Sequence, residues 1–283
     1  AYNSEPGSTV DSIILLPWSS DSLDVYFSPF SAMDYQRFIE IKYFNSDGFK
    51  EIEYIQVYGR GVDGTLVQEG PVSGTWVAEN EPYYIMGDVS VTGSLEIDAG
   101  VHVEFIGPFS LTVGASSLFK AIGSELDSIN FYPFDISEGW RGIRFINSGD
   151  DDLLRYCSIQ GCKKLKSADF EQDENGGAIY SSDSNPLIQH CRISNNFAIA
   201  GGGIFLTNSH SNIENSTIVT NRAMSNGGGG ISCYNSNPYL FRSIIANNRS
   251  LNFFADGDNG GGVFCWSSSP RLLNVTLAGN VAD

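Results

Sequence analysis

Gly202-Gly203-Ile204-Phe205-Leu206-Thr207 opens a unit that closes at Ile218-Val219-Thr220-Asn221, and the second half of the chain carries this unit four times. The openings are Gly176-Gly177-Ala178-Ile179, Gly202-Gly203-Ile204, Gly229-Gly230-Ile231 and Gly261-Gly262-Val263. The closings run from Ile193 to Asn196, Ile218 to Asn221, Ile245 to Asn248 and Leu277 to Asn280. The anchors Ile179, Ile204, Ile231 and Val263 are 25, 27 and 32 residues apart, and the closing asparagines repeat the same steps. Matched anchors at a period of about 20 to 50 residues imply a solenoid whose stacked units bury one continuous core.

Within a unit the side chains sort by alternation. Ile204 and Leu206 point inward, and Phe205 and Thr207 outward. A polar corner follows at Ser209-His210-Ser211, matched by Ser184-Asn185-Pro186, Ser236-Asn237-Pro238 and Ser268-Ser269-Pro270. Two further inward columns follow, Ile188, Ile213, Leu240, Leu272 and then Ile193, Ile218, Ile245, Leu277. Asn196, Asn221, Asn248 and Asn280 read as a structural ladder in a tight turn, where asparagine accepts left-handed geometry and bonds neighbouring backbone. Gly203, Gly230 and Gly262 read as structural too, allowing close approach or positive φ beside each anchor.

Upstream, Val89-Ser90-Val91, Leu95-Glu96-Ile97, 101–105 and Leu111-Thr112-Val113 alternate in the same manner at irregular spacing, as expected of the first coils. Residues 1–68 differ in texture. Apolar runs at 12–18, 23–27, 38–44 and 52–58 predict strands of a small antiparallel β domain, with Asn45-Ser46-Asp47-Gly48 as a turn. The expected organisation is therefore all-β: residues 1–68 as the small domain, 69–75 as linker and 76–283 as solenoid. The repeat continues unbroken to Val281-Ala282-Asp283, so further coils and further domains of the same polypeptide are expected to follow.

Sixteen basic against 33 acidic residues give a net charge of −17, which argues against nucleic acid and anionic membranes as partners. No apolar run approaches the roughly 20 residues of a transmembrane helix. Cys157, Cys191, Cys233 and Cys265 keep fixed offsets from the anchors and read as small buried hydrophobes, with a cross-coil disulfide as the alternative.

The repeat grammar resembles the right-handed parallel β-helix of the pectate-lyase-like superfamily over residues 76–283. Its Gly-Gly-anchor and apolar-x-x-Asn units resemble those of bacterial polymorphic outer-membrane proteins. The stretch from Leu95 to Phe105 is also similar to the opening strand pair of many secreted bacterial β-helix proteins. The resemblance implies a secreted or cell-surface bacterial protein. It leaves function open among adhesins, spacers, and polysaccharide lyases or glycoside hydrolases acting on acidic polysaccharide.

Enzymes of this kind carry clustered acids on adjacent strands. Asp150-Asp151-Asp152 is the densest acidic run, but it follows Ser148-Gly149 and reads as a solvated turn, and no catalytic residue is assigned. Two insertions, 163–174 and 249–259, leave the solenoid at one corner, and insertions on one face often build a binding surface. In the second, Asp256 and Asp258 flank Gly257 with the oxygen-rich composition of a calcium loop, and equally of a solvated turn. No other cofactor is implied. Outward positions beside the glycine corner carry Tyr180, Phe205, Tyr234, Phe264 and Trp266. Such a strip fits a binding surface for polysaccharide or a surface protein, or a face covered by the protein's own loops. The expected function is a surface adhesion or carbohydrate-binding module, or a structural part of a larger secreted protein.

Overall fold

The computed structural model describes residues 34–44, 50–60, 63–163, 175–224, 227–251 and 259–283. It divides into two units, Ala1–Asp63 and Gly64–Asp283. In the first, Asp34–Phe44 and Lys50–Arg60 form an antiparallel pair in continuous register from Asp34↔Arg60 to Phe44↔Lys50. These are the last two strands expected there; 12–18, 23–27 and the turn at 45–48 lie outside the described residues.

The second unit is a solenoid of parallel strands in sheets of fourteen, nine and four strands. Each regular coil supplies three main strands and a short fourth, as in Ile204–Thr207, Asn212–Glu214, Thr217–Val219 and Arg222–Ala223. Equivalent strands pair in register, so Ile179, Ile204, Ile231 and Val263 stack directly. So do Ile188, Ile213, Leu240 and Leu272, and Ile193, Ile218, Ile245 and Leu277. All but the last member of each column are essentially excluded from solvent. Each such side chain contributes about 1.5 to 3 kcal/mol on burial, which makes these columns the main source of stability. In the last coil the columns are open, with Leu277 53% exposed.

Corners are made by single left-handed residues. Asn147, Asp183, Asn208, Asn235 and Ser267 turn the first strand into the second, and Tyr156, His190, Asn215, Arg242 and Asn274 the second into the third. At the third corner the positive φ falls on Asn195, Thr220, Asn247 and Gly279, one residue before each ladder asparagine. The expectation that the ladder asparagines themselves adopt this geometry is corrected. Their side chains instead face inward as hydrogen-bonding rungs.

Those rungs are fully paired in the middle of the solenoid. Asn221 Oδ1 accepts the backbone N–H of Asn196 (3.1 Å) and its Nδ2 (3.0 Å). Asn221 Nδ2 donates to Ile193 O (3.0 Å) and to Asn248 Oδ1 (3.1 Å). Asn248 repeats the pattern toward Ile218 O and Asn280. The glycine corners abut this ladder. A β-carbon on Gly203 would lie 2.7 Å from Gly230 O, one on Gly230 2.6 Å from Gly262 O, and one on Gly262 2.9 Å from Asn280 Nδ2. Close approach, rather than positive φ, is what these three positions require.

Two further expectations change. Gly70–Trp76 is a strand paired in parallel with Val89–Ile97, so most of the expected linker 69–75 belongs to the solenoid. Gly70 and Gly74, which made it look like a linker, take positive φ, and a register shift lies between Val72 and Gly74. Val89–Ile97 itself pairs with Leu111–Val113 through its first half and with Leu118–Ile122 through its second. Val89–Ile97 thus serves two faces and turns between them at Gly93, whose φ is positive like that of the later corner residues. No disulfide joins the cysteines. Cys157, Cys191 and Cys233 are buried in the core as expected, the first two in the column filled by Ser216 and Ser243 in later coils, whereas Cys265 is exposed.

The early core is aromatic. Trp140 stacks on Phe105 with ring centroids 4.0 Å apart, and its indole N–H donates to Gln160 O at 2.9 Å. Burial of that ring leaves no unpaired donor.

Candidate functional site

The aromatic strip expected from the sequence is continuous. Tyr180 and Phe205 stack at 5.6 Å and 2°, Phe205 and Tyr234 at 5.1 Å and 26°, and Tyr234 and Phe264 at 5.7 Å and 47°. Tyr234 is in register with Thr207 rather than Phe205, so it reaches its partners diagonally. Arg144, only 2% exposed, continues the stack with its guanidinium 4.3 Å from the Tyr180 ring centroid. Its Nη1 donates to Asn175 O at 3.0 Å and Gly176 O at 3.3 Å.

In this geometry Phe205 offers little surface to a ligand. The ring is 7% exposed, and a β-carbon on Gly201 would sit 2.9 Å from Phe205 Cβ, so the glycine corner folds against it. A sugar ring stacks on an open aromatic face. Here the faces of Phe205 are taken by Tyr180 and Tyr234, leaving little of the ring to a ligand. Tyr180, Tyr234 and Phe264 are partly covered, and Trp266 is 56% exposed. Within the strip, Phe205 is the ring built into the packing.

The acidic features disperse. Asp256 and Asp258 lie outside the described residues, as does most of the first insertion. Among the described residues no group of three or more His, Cys, Asp or Glu is placed to hold a metal. Asp152 is not solvated as expected: it is buried, and its Oδ1 accepts the N–H of Phe119 at 2.8 Å. Burial holds its carboxyl above the usual range, against the opposing bond from the Phe119 N–H. Asp150 instead accepts Asn185 Nδ2 at 2.7 Å on the surface, so the acidic run does not converge on one site.

A different constellation comes together on the outer wall of the first coils. Tyr83–Ile85, His102–Phe105 and Ile129–Pro133 are neighbouring parallel strands. Tyr83, Ile85, Val103, Phe105, Ile129 and Phe131 are buried, so alternation turns Tyr84, His102, Glu104, Asn130 and Tyr132 outward. Register places Tyr84, Glu104 and Tyr132 in one row and His102 beside Asn130 in the next. All five are half-buried.

Glu81, on the segment leading into the first of these strands, fixes the histidine. Its Oε2 accepts the backbone N–H of His102 at 3.0 Å and pairs with His102 Nδ1. A proton on Nδ1 leaves Nε2 as acceptor toward Asn130 Nδ2, 3.4 Å away. Asn130 Nδ2 also donates to Ser128 O at 3.1 Å. The Tyr132 ring stands edge-on to His102 at 6.2 Å. Burial pushes the Glu104 carboxyl up, with His102 opposing. Burial, together with Glu104, Tyr84 and Glu81, pushes the Tyr132 hydroxyl up to about 12, so it remains a donor. The patch combines aromatic surface, a partly desolvated carboxyl, an amide and a held imidazole, a set suited to hydroxyl-rich ligands.

The sequence carried one half of this signal. Val101-His102-Val103-Glu104-Phe105 and Ile129-Asn130-Phe131-Tyr132 alternate clearly and send these polar residues outward. The register that assembles them had no repeated motif to mark it.

Residues 128–282, more than half of the chain, match the family described as right handed beta helix region. Asn130 and Tyr132 fall inside the matched span, and Glu81, His102 and Glu104 before it. No curated protein and no solved structure matches the chain. Among the described residues no helix is long and apolar enough to cross a membrane.

Proposed function

Because the chain belongs to the family of right-handed β-helix regions, we propose that it is a carbohydrate-binding adhesion module whose contact surface is the outer wall of its first coils. The observation that carries this reading is the in-register patch of Tyr84, Glu104 and Tyr132 beside His102 and Asn130. Side chains with no packing purpose on an outward face would be expected to be short or freely solvated. These are large, half-buried and mutually ordered, with Glu81 committed to holding His102. His102 and Asn130 are held by hydrogen bonds before any ligand arrives, which lowers the entropy cost of binding. The ligands belong outside the cell, on a surface glycan or glycoprotein, and the module acts there as a secreted or cell-surface element.

A glycan array probed with the full chain tests the reading, followed by calorimetry on the ligands found. Glu104→Ala is expected to weaken binding about tenfold, the loss of roughly one charge-assisted hydrogen bond. A Tyr234→Ala, Trp266→Ala double variant is expected to change affinity less than about twofold, because these residues lie on a different sheet from the patch and in later coils. A blank array, or the reverse ranking of these variants, rejects the patch as the binding site.

A further inference from the structure

We infer that the patch takes an uncharged sugar chain lying along the solenoid axis; this specificity rests on the glycan-binding reading above. Two observations decide the ligand's charge. The three strands carry the sequences YYI, HVEF and INFYP, with no lysine or arginine among them. The patch adds Glu81 and Glu104, in a chain of net charge −17. A uronate or sulfated sugar would set its anion against these carboxyls in a partly desolvated site, which is costly with no lysine or arginine on the three strands to pair it and with His102 already engaged by Glu81. Sugar hydroxyls instead find suitable partners, with Glu104 as acceptor and Tyr132 as donor. Glu81 is a positioning residue, engaged with His102.

The direction follows from register. Tyr84, Glu104 and Tyr132 sit on three successive coils, one above the other. Neighbouring strands are about 4.8 Å apart, so the two tyrosines are about 10 Å apart with a carboxyl between them. A chain running with the axis meets ring, acceptor and ring in turn, and has the His102–Asn130 row along one side. A chain crossing the coils meets one row only at a single residue.

The test titrates the full chain with oligosaccharides of equal length in three classes. These are neutral xylo-, manno- and cello-oligosaccharides, anionic oligogalacturonate, and cationic glucosamine oligomers. Calorimetry gives affinity, and amide shifts of His102, Glu104, Asn130 and Tyr132 locate the site. At least one neutral series is expected to bind with shifts confined to these strands. Its affinity should change less than about twofold between low and high salt, since no ion pair is made. Glu104→Ala should weaken it about tenfold, and Tyr132→Phe, which removes only a hydroxyl and preserves packing, severalfold. Preference for the anionic or cationic series at the same amides overturns the neutral specificity while leaving a glycan site in place. Binding whose shifts fall elsewhere, or no binding by any series, overturns the site itself.

Discussion

Asn221→Ala is expected to destabilise the solenoid by about 3 to 5 kcal/mol, although it removes only a small side chain. Asn221 is fully buried and its amide is saturated on both sides. Without it the backbone N–H of Asn196 loses its acceptor and Ile193 O its side-chain donor. Each buried group left unsatisfied costs about 1 to 3 kcal/mol. The damage should spread along the axis, because Asn196 and Asn248 are rungs of the same ladder. Urea unfolding followed by circular dichroism, with amide exchange to localise the opening, provides the measurement. Asn212→Ala, at an exposed outward position, is the control and should lie within about 0.5 kcal/mol of the parent. Equal midpoints for the two variants would show that the ladder does not hold the coils.

Phe205→Ala should cost a similar amount, about 3 to 5 kcal/mol, the range for truncating a buried phenylalanine. Tyr180 and Tyr234 would both lose a stacking partner, and each such pair contributes about 0.5 to 1.5 kcal/mol beyond its area. The expected signature is a lowered unfolding midpoint with glycan affinity retained by the folded fraction. A variant as stable as the parent that no longer bound glycan would return the aromatic strip to the role of ligand surface.

The contrast between this strip and the Glu104 patch shows where reading a solenoid from sequence succeeds. In a regular coil, residues that touch are residues equivalent in the repeat. Periodicity in the chain is therefore contact in space, and Ile204 on Ile231 or Asn221 on Asn248 can be read directly from the text. What lies on top of an outward residue is different. The covering of Phe205 depends on how the glycine corner folds back, and that is set by close backbone approach rather than by alternation.

The sequence by itself determined the solenoid, its three inward columns, the corners between them and the asparagine ladder. A strict repeat of anchors admits one way of burying them all, by stacking coil on coil. Tertiary structure alone decided that Gly70–Trp76 is a strand, that Asp152 turns inward, and that Glu81, His102, Glu104 and Tyr132 meet on one wall. These features lie in the irregular early coils, where loop lengths vary and no repeated residue marks the register. There the pairing of strands is set by the packing of Phe105, Phe131 and Trp140 in the shared core, a long-range outcome that no local pattern encodes.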